Sequence, residues 1–350
     1  MALTLPVVIV SCSQKEDVHP AASVQVTIDN IQPRRDVNGQ IIDAHGGCLQ
    51  FFDGKFYLYG TAYGLRKDSL ETNNYFCVYS SPDLEHWTPA GQLLAEQPLG
   101  VYTRPYVVFN PNTHKYVLWY NWFPTLWNGQ AGVAVSDTPI GPFVVTNLSA
   151  HLAGKGPGDG SLFVDDDGKG YYIYTSMKEN YGVRVERLKP DYFDTTGETG
   201  NVMATGCEAP VLFRRNNTYY ALCGPVCPDC PYGSEVQVFT ATSPLGPYTT
   251  KPQYNINRPL DSQVTFLEKN GSISRTETNN YSVIVAAQQT WVAKFPTADG
   301  GIYIWMGDRW ESRPDGIKGH DFQFWSPPLE FSPTGDLMPL KNAGRWFLMK

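Results

Sequence analysis

An all-β chain folded as a five-bladed β-propeller is predicted by three features of the 350-residue sequence. Aromatic residues make up 13% of it and charged residues only 17%, while 32 Gly and 27 Pro fall at short intervals. That mixture suits many strands joined by tight turns. No long stretch repeats its apolar residues at helical spacing. Finally, one phrase recurs five times: an Asp-Gly or Asn-rich turn, then alternating aromatic and aliphatic residues, which is a hairpin signal.

The copies of that phrase lie at 53–59, 112–120, 167–174, 216–222 and 299–305. Their separations of roughly 50 to 85 residues suit propeller blades with uneven insertions. A second phrase closes several copies, at 80–87, 136–143 and 243–248: a strand end, a Pro turn and an aromatic. It marks the outer edge of a blade, with the aromatic tucked under the turn. Two phrases in constant order predict one radial domain over 30–340. Asp165, Asp166 and Asp167 precede Gly168 without the alternating spacing of a calcium loop, so they read as a hairpin turn.

Residues 1–10 are apolar but too short to span a bilayer, and residues 1–22 read as a signal peptide or leader of a secreted chain. The stretch Ile9-Val10-Ser11-Cys12 resembles a lipoprotein processing site, so membrane contact extends no further than a leader or lipid anchor. Sequons at Asn147, Asn216, Asn270 and Asn280 also suit secretion. Beyond Cys12, six cysteines remain: Cys48, Cys77, Cys207, Cys223, Cys227 and Cys230. They permit three bridges. No fourth ligand stands at matching spacing to Cys223, Cys227 and Cys230, so these predict a disulfide-pinned surface loop without zinc.

The formal net charge of −7 and the lack of a Lys/Arg cluster argue against a nucleic-acid partner. Aromatic and amide content suits a neutral polar ligand, a polysaccharide or oligosaccharide. In a propeller, the starts of all inner strands meet at one end of the central channel. Residues at those starts are His45, Arg104, Asp159, Glu208 and Gln288, one per blade. Two carboxyl groups among them suit glycoside hydrolysis, which needs a protonated acid and a means of placing water. Trp119, Trp122, Trp127 and Trp291 are candidates for stacking on sugar rings, at least two of them serving blade packing instead.

Four motifs carry a family resemblance. Ala44-His45-Gly46-Gly47, the 161–168 segment ending in Asp165-Asp166-Asp167-Gly168, Glu208-Ala209-Pro210 and Gly307-Asp308-Arg309-Trp310 resemble signatures of glycoside hydrolase family 43. They most resemble the branch containing exo-β-1,3-galactanases, from about Ile41 to Phe331. The resemblance implies an inverting, exo-acting glycosidase without cofactor or bound metal. It implies Glu208 as general acid, Asp159 as the group that orients it and tunes its pKa, and Gln288 as the group that positions water. Gln289 is one step away, and Gln263 lies too far upstream for that last role. His45, Asp43, Thr103, Arg104, Gln289, Asp308, Arg309 and Trp310 are the expected substrate-binding residues. One departure stands out: Thr103-Arg104-Pro105 replaces a Glu-Arg-Pro of the galactanases, with Asp43 a partial substitute. An arabinofuranosidase or xylosidase of the same family, and a non-catalytic sugar-binding propeller, therefore remain alternatives.

Overall fold

The computed structural model describes residues 25–64, 74–125, 128–227, 230, 233–258, 265–267, 273–276, 283–295 and 301–349. The leader, Cys12, Trp127, Gln263 and the sequons at Asn270 and Asn280 lie outside the described residues.

Five antiparallel sheets follow one another along the chain, spanning 49–92, 101–147, 157–199, 207–241 and 288–328. The first strand of each is innermost: Leu49–Phe52, Val101–Asn110, Pro157–Val164, Cys207–Arg215 and Gln288–Phe295. From the second blade to the fifth each inner strand packs beside the next, the fifth returns to the first, and the first blade meets the second through its strand Lys55–Ala62. The chain is a five-bladed β-propeller. Its only described helix is the three-residue 3₁₀ turn Lys318–His320.

The recurring turn phrase does what its chemistry dictates. Phe52 pairs with Lys55 across a two-residue loop in which Asp53 and Gly54 both have positive φ (48° and 80°). That is the backbone twist a two-residue hairpin needs, and Asp-Gly supplies it cheaply. Asn216, at φ 54°, does the same between Arg215 and Thr218. In the third blade the Asp165 amide pairs with Lys169 and the Gly168 amide with Asp165, a hairpin turn as expected. The Asp165 carboxylate is held by Arg214 and Tyr219 of the next blade. The second phrase also lands at the blade edges. Trp87 and Phe143 are fully buried there, and the Tyr248 hydroxyl donates to the Pro244 carbonyl.

Propeller blades are typically four-stranded; blades one to three have four strands, whereas blades four and five have three among the described residues. In blade four the outer edge is reduced to single bridges, Thr240 to Thr249 and Gln237 to Asn255. Pro252 lies within that edge, and a proline cannot donate to a ladder. In blade five the third strand ends at Pro327-Pro328 for the same reason.

Among the described residues the ring is closed by strand pairing, hydrogen bonds and packing. Gln25–Asp29 pairs antiparallel with Arg345–Met349. Asn30 then brackets Trp325, its side-chain amide donating to the Trp325 carbonyl and accepting the Trp325 N–H, both at 2.9 Å. Trp87 of blade one meets Trp325 of blade five edge to face. Trp119, Trp305 and Trp325 are buried to 1% exposure or less, so truncating any of them should cost about 3–5 kcal/mol.

Candidate active site

The site is built where the inner strands begin, and it is built from bulges. Pairing slips between Thr103 and Tyr106, Pro157 and Gly160, Glu208 and Val211, and Gln289 and Trp291. Bulges bend a strand and re-aim its side chains. In two of them a non-glycine residue takes positive φ just before a proline: Arg104 (56°) before Pro105 and Ala209 (52°) before Pro210. Such backbone costs on the order of 1–3 kcal/mol and persists only where the surroundings impose it.

These bulges bring together two hydrogen-bonded pairs, Glu208 with Gln288 and Arg104 with Asp159, close enough for the charges of the second pair to act on Glu208. Glu208 Oε1 accepts the Cys227 backbone N–H at 3.2 Å and the Gln288 side-chain amide at 2.9 Å. Two N–H groups already point at that oxygen, so a proton on the carboxyl belongs to Oε2. Gln288 cannot turn freely, because its Oε1 accepts the Trp310 indole N–H at 2.9 Å and an indole can only donate. Burial pushes the Glu208 pKa up, the charge of Asp159 adds to it, and together they carry it to about 8. The Cys227 N–H and the Arg104 charge pull the other way and lose.

Asp159, with 21% of its side chain exposed, accepts Arg104 Nη2 at 2.8 Å. Arg104 is itself buried, and its Nη1 donates to the Gln289 carbonyl at 3.1 Å. Arg104 thus ties blades two, three and five together beneath Asp159. Gly160, the next residue, has no room for a Cβ, which would fall 2.2 Å from the Tyr172 hydroxyl.

His45 lies deeper, with no exposed surface. Its Nδ1 is 3.2 Å from Asp308 Oδ1 and its Nε2 is 3.2 Å from the Gly319 carbonyl. Both partners only accept, so both ring nitrogens donate and the ring is an imidazolium. Burial opposes that charge, but Asp308 and then Asp43 outweigh it and raise the pKa to about 9. The other Asp308 oxygen accepts the Gly46 N–H at 2.6 Å. Asp43 accepts the backbone N–H groups of Tyr63 and Gly64 at 3.0 and 2.7 Å. Its carboxyl is also pushed above the usual range by burial.

The remaining sequence candidates divide. Thr103 is half-buried, and its hydroxyl has no partner. It faces Asn121, whose side-chain NH₂ is also buried and unpartnered. Gln289 is fully buried and donates to the Ala209 carbonyl, so only Gln288 reaches Glu208. Arg309 reaches outward to the Asn30 carbonyl at 3.5 Å, at the ring closure. Trp119 donates to the Tyr192 carbonyl from full burial, and Trp291 packs on Tyr106, so both serve blade packing. Trp122 stacks on Tyr102.

Three contributors went unseen in the sequence. The Cys227 N–H has no side-chain signature. Tyr63 and Lys318 approach from connections between strands, Tyr63 against the His45 ring and Lys318 Nζ 4.0 Å over the Trp310 ring. The cysteine expectation needs one correction. Cys227 and Cys230 form a disulfide, but Cys223 is not in their loop. It lies buried in the strand Thr218–Pro225, where strand alternation turns it inward with Cys207. Cys48, Cys77, Cys207 and Cys223 are free thiols, so the described residues hold one bridge and not three.

A model of the family described as glycosyl hydrolases family 43 matches residues 62–300. The chain is similar to the arabinoxylan arabinofuranohydrolase of Bacillus subtilis (strain 168), 25% identical over 312 residues. That match takes in 73% of this chain but only 58% of the relative, so the chain spans less than two thirds of its length. Among solved structures it is similar to the exo-β-1,3-galactanase of Clostridium thermocellum, with a TM-score of 0.72 and 25% identity. That likeness covers 91% of this chain and 66% of the other. A variant of the Phanerochaete chrysosporium exo-β-1,3-galactanase, solved with β-1,3-galactotriose, has a TM-score of 0.73 at 24% identity. It covers 92% of this chain and 68% of that one. With the family match extending over most of its length, this chain belongs to glycosyl hydrolase family 43.

Proposed function

We propose that the chain is an inverting glycoside hydrolase that removes galactose from the ends of β-1,3-galactan. Glu208 is the general acid, delivering the proton on Oε2 to the leaving oxygen. Burial first, and the charge of Asp159 second, keep that proton in place near neutral pH, because both disfavour ionisation of the carboxyl. Gln288 positions the attacking water. After its bonds to Glu208 and Trp310 the amide retains one lone pair and one N–H, and these are the groups assigned to water. The observation that carries the reading is the Glu208 carboxyl, held by two donors on one oxygen and raised to about 8.

Thr103 favours keeping a second reading. Its hydroxyl and the Asn121 amide across from it are buried and uncharged, so this strand start brings no carboxylate to the site. The likeness to an arabinoxylan arabinofuranohydrolase points the same way, to release of arabinofuranose.

Proton NMR of the first sugar released decides among these. Galacto-oligosaccharides with β-1,3 linkages should yield α-galactose. A first-formed β-anomer would mean a covalent intermediate on a second carboxyl about 5 Å from the first, and Gln288 would lose its role. Arabinose released from arabinoxylan, with galactan untouched, would establish the second reading. Binding of these sugars without any cleavage would leave a sugar-binding propeller.

A further inference from the structure

Cys223 faces the core, but the fold brings Glu208 from another strand up to Cys227 and Cys230. Cys227 Sγ and Cys230 Sγ lie 3.7 and 3.8 Å from Glu208 Oε1. The three ligand atoms all fall within 4.8 Å of one another. A tetrahedral zinc-type ion, with metal–sulfur near 2.3 Å and metal–oxygen near 2.0 Å, sets sulfur and oxygen about 3.5 Å apart. The two sulfur-to-oxygen edges of such a site are therefore already close to their final lengths. The same geometry sets the two sulfurs about 3.8 Å apart, and only the bond between them prevents it. Cα atoms 5.2 Å apart leave room for that separation.

We propose that reducing the Cys227–Cys230 bridge converts this corner of the site into a binding site for a thiophilic divalent cation of the zinc class. Cys227, Cys230 and Glu208 are its ligands, the Gln288 amide giving up its bond to Glu208 Oε1 to the metal, and the fourth position is open to water. A phosphine reductant supplies two electrons and is oxidised to the phosphine oxide with oxygen from water. The disulfide takes up those electrons with two protons and becomes two thiols. The metal then displaces both thiol protons to solvent. Metal and substrate compete for the same carboxyl, so the loaded chain is silent. That consequence rests on Glu208 being the proton donor; the metal site itself does not.

Cobalt(II), added to the full chain after phosphine reduction, reports thiolate ligation through sulfur-to-metal charge-transfer absorption. The reduced chain should show a stoichiometric band, and the oxidised chain should show none. The paired variant Cys227→Ser, Cys230→Ser keeps Cys48, Cys77, Cys207 and Cys223 and should lose the band. Glu208→Gln keeps both thiols and should weaken cobalt binding at least about tenfold, since even outer partners of a metal site are worth 10–100-fold. Zinc should abolish turnover of the reduced chain, and a chelator should restore it. The absence of a band on reduction, its survival in the paired variant, or full cobalt affinity in Glu208→Gln would each overturn the proposal. A band accompanied by undiminished turnover would leave the site standing and remove Glu208 from the acid's role.

Discussion

At their starts, four of the five inner strands are bulged and hold Glu208, Gln288, Arg104 and Asp159 in mutual contact or influence. Toward their ends the same strands pair without a slip. There, joined by Phe52 of the first inner strand, they line a cavity of about 680 Å³ with Phe109, Phe163, Phe213 and Phe295. Strand alternation and hydrophobic burial alone account for the second mouth. The first needs the extra residue of each bulge, positive φ at Arg104 and Ala209, and buried charges that compensate one another. A large apolar hollow is therefore no guide to the chemistry in this fold. Irregular backbone is the better guide, because strain is retained where it positions polar groups.

Substitutions at the two mouths should separate cleanly. The largest effect is expected from Glu208→Gln, which should lower kcat on galactan by about 10² to 10⁴ while sugar binding persists. Isothermal titration beside steady-state rates would check both halves. Equal loss of binding and turnover would mean that the carboxyl only holds substrate.

At the apolar mouth, Phe213→Ala should cost about 3 kcal/mol of stability in urea unfolding. It should leave the pH dependence of kcat/KM where it was. A displaced pH profile would show that the two mouths are coupled through the inner strands.

A smaller effect is expected from Trp310→Phe, which keeps the ring and removes the N–H that Gln288 accepts. Losing one buried hydrogen bond should lower kcat on the order of tenfold with little change in KM. The freed amide can turn its carbonyl toward Glu208 and hold the acid's proton, so the alkaline limb should also move up. A change in KM alone would make Trp310 a sugar contact.

How far the sequence foretold this depends on the range of the interactions. Asp53-Gly54 and Asn216-Asn217 encode their hairpins within two residues, and Trp87, Phe143 and Tyr248 mark blade edges within one turn. All were legible. So was the step of one polar residue per inner strand, because the fold alone makes those positions converge. What stayed hidden depends on how connections dock between blades. The Cys227 N–H reaches back 19 residues to Glu208, and Gln288 crosses 80 residues to the same oxygen. Cys223 was misplaced because three cysteines close in sequence look like one loop, whereas alternation in Thr218–Pro225 buries the first of them. Pro105 and Pro210 were visible throughout, and each follows a positive-φ residue within a bulge.

The central claim is that the bulged mouth keeps Glu208 protonated near neutral pH, through burial first and the Asp159 charge second. It is tested most directly by the alkaline limb of kcat/KM, which reports the acid of the free enzyme. The acid is active while protonated, so activity should be full below its pKa and fall as pH rises through about 8. Asp159→Asn removes the repelling charge and leaves Arg104 unpaired beside Glu208, and both changes favour ionisation. The limb should therefore shift to lower pH in that variant. A wild-type limb near the ordinary glutamate value of about 4.3, or a limb unmoved by Asp159→Asn, would contradict the account.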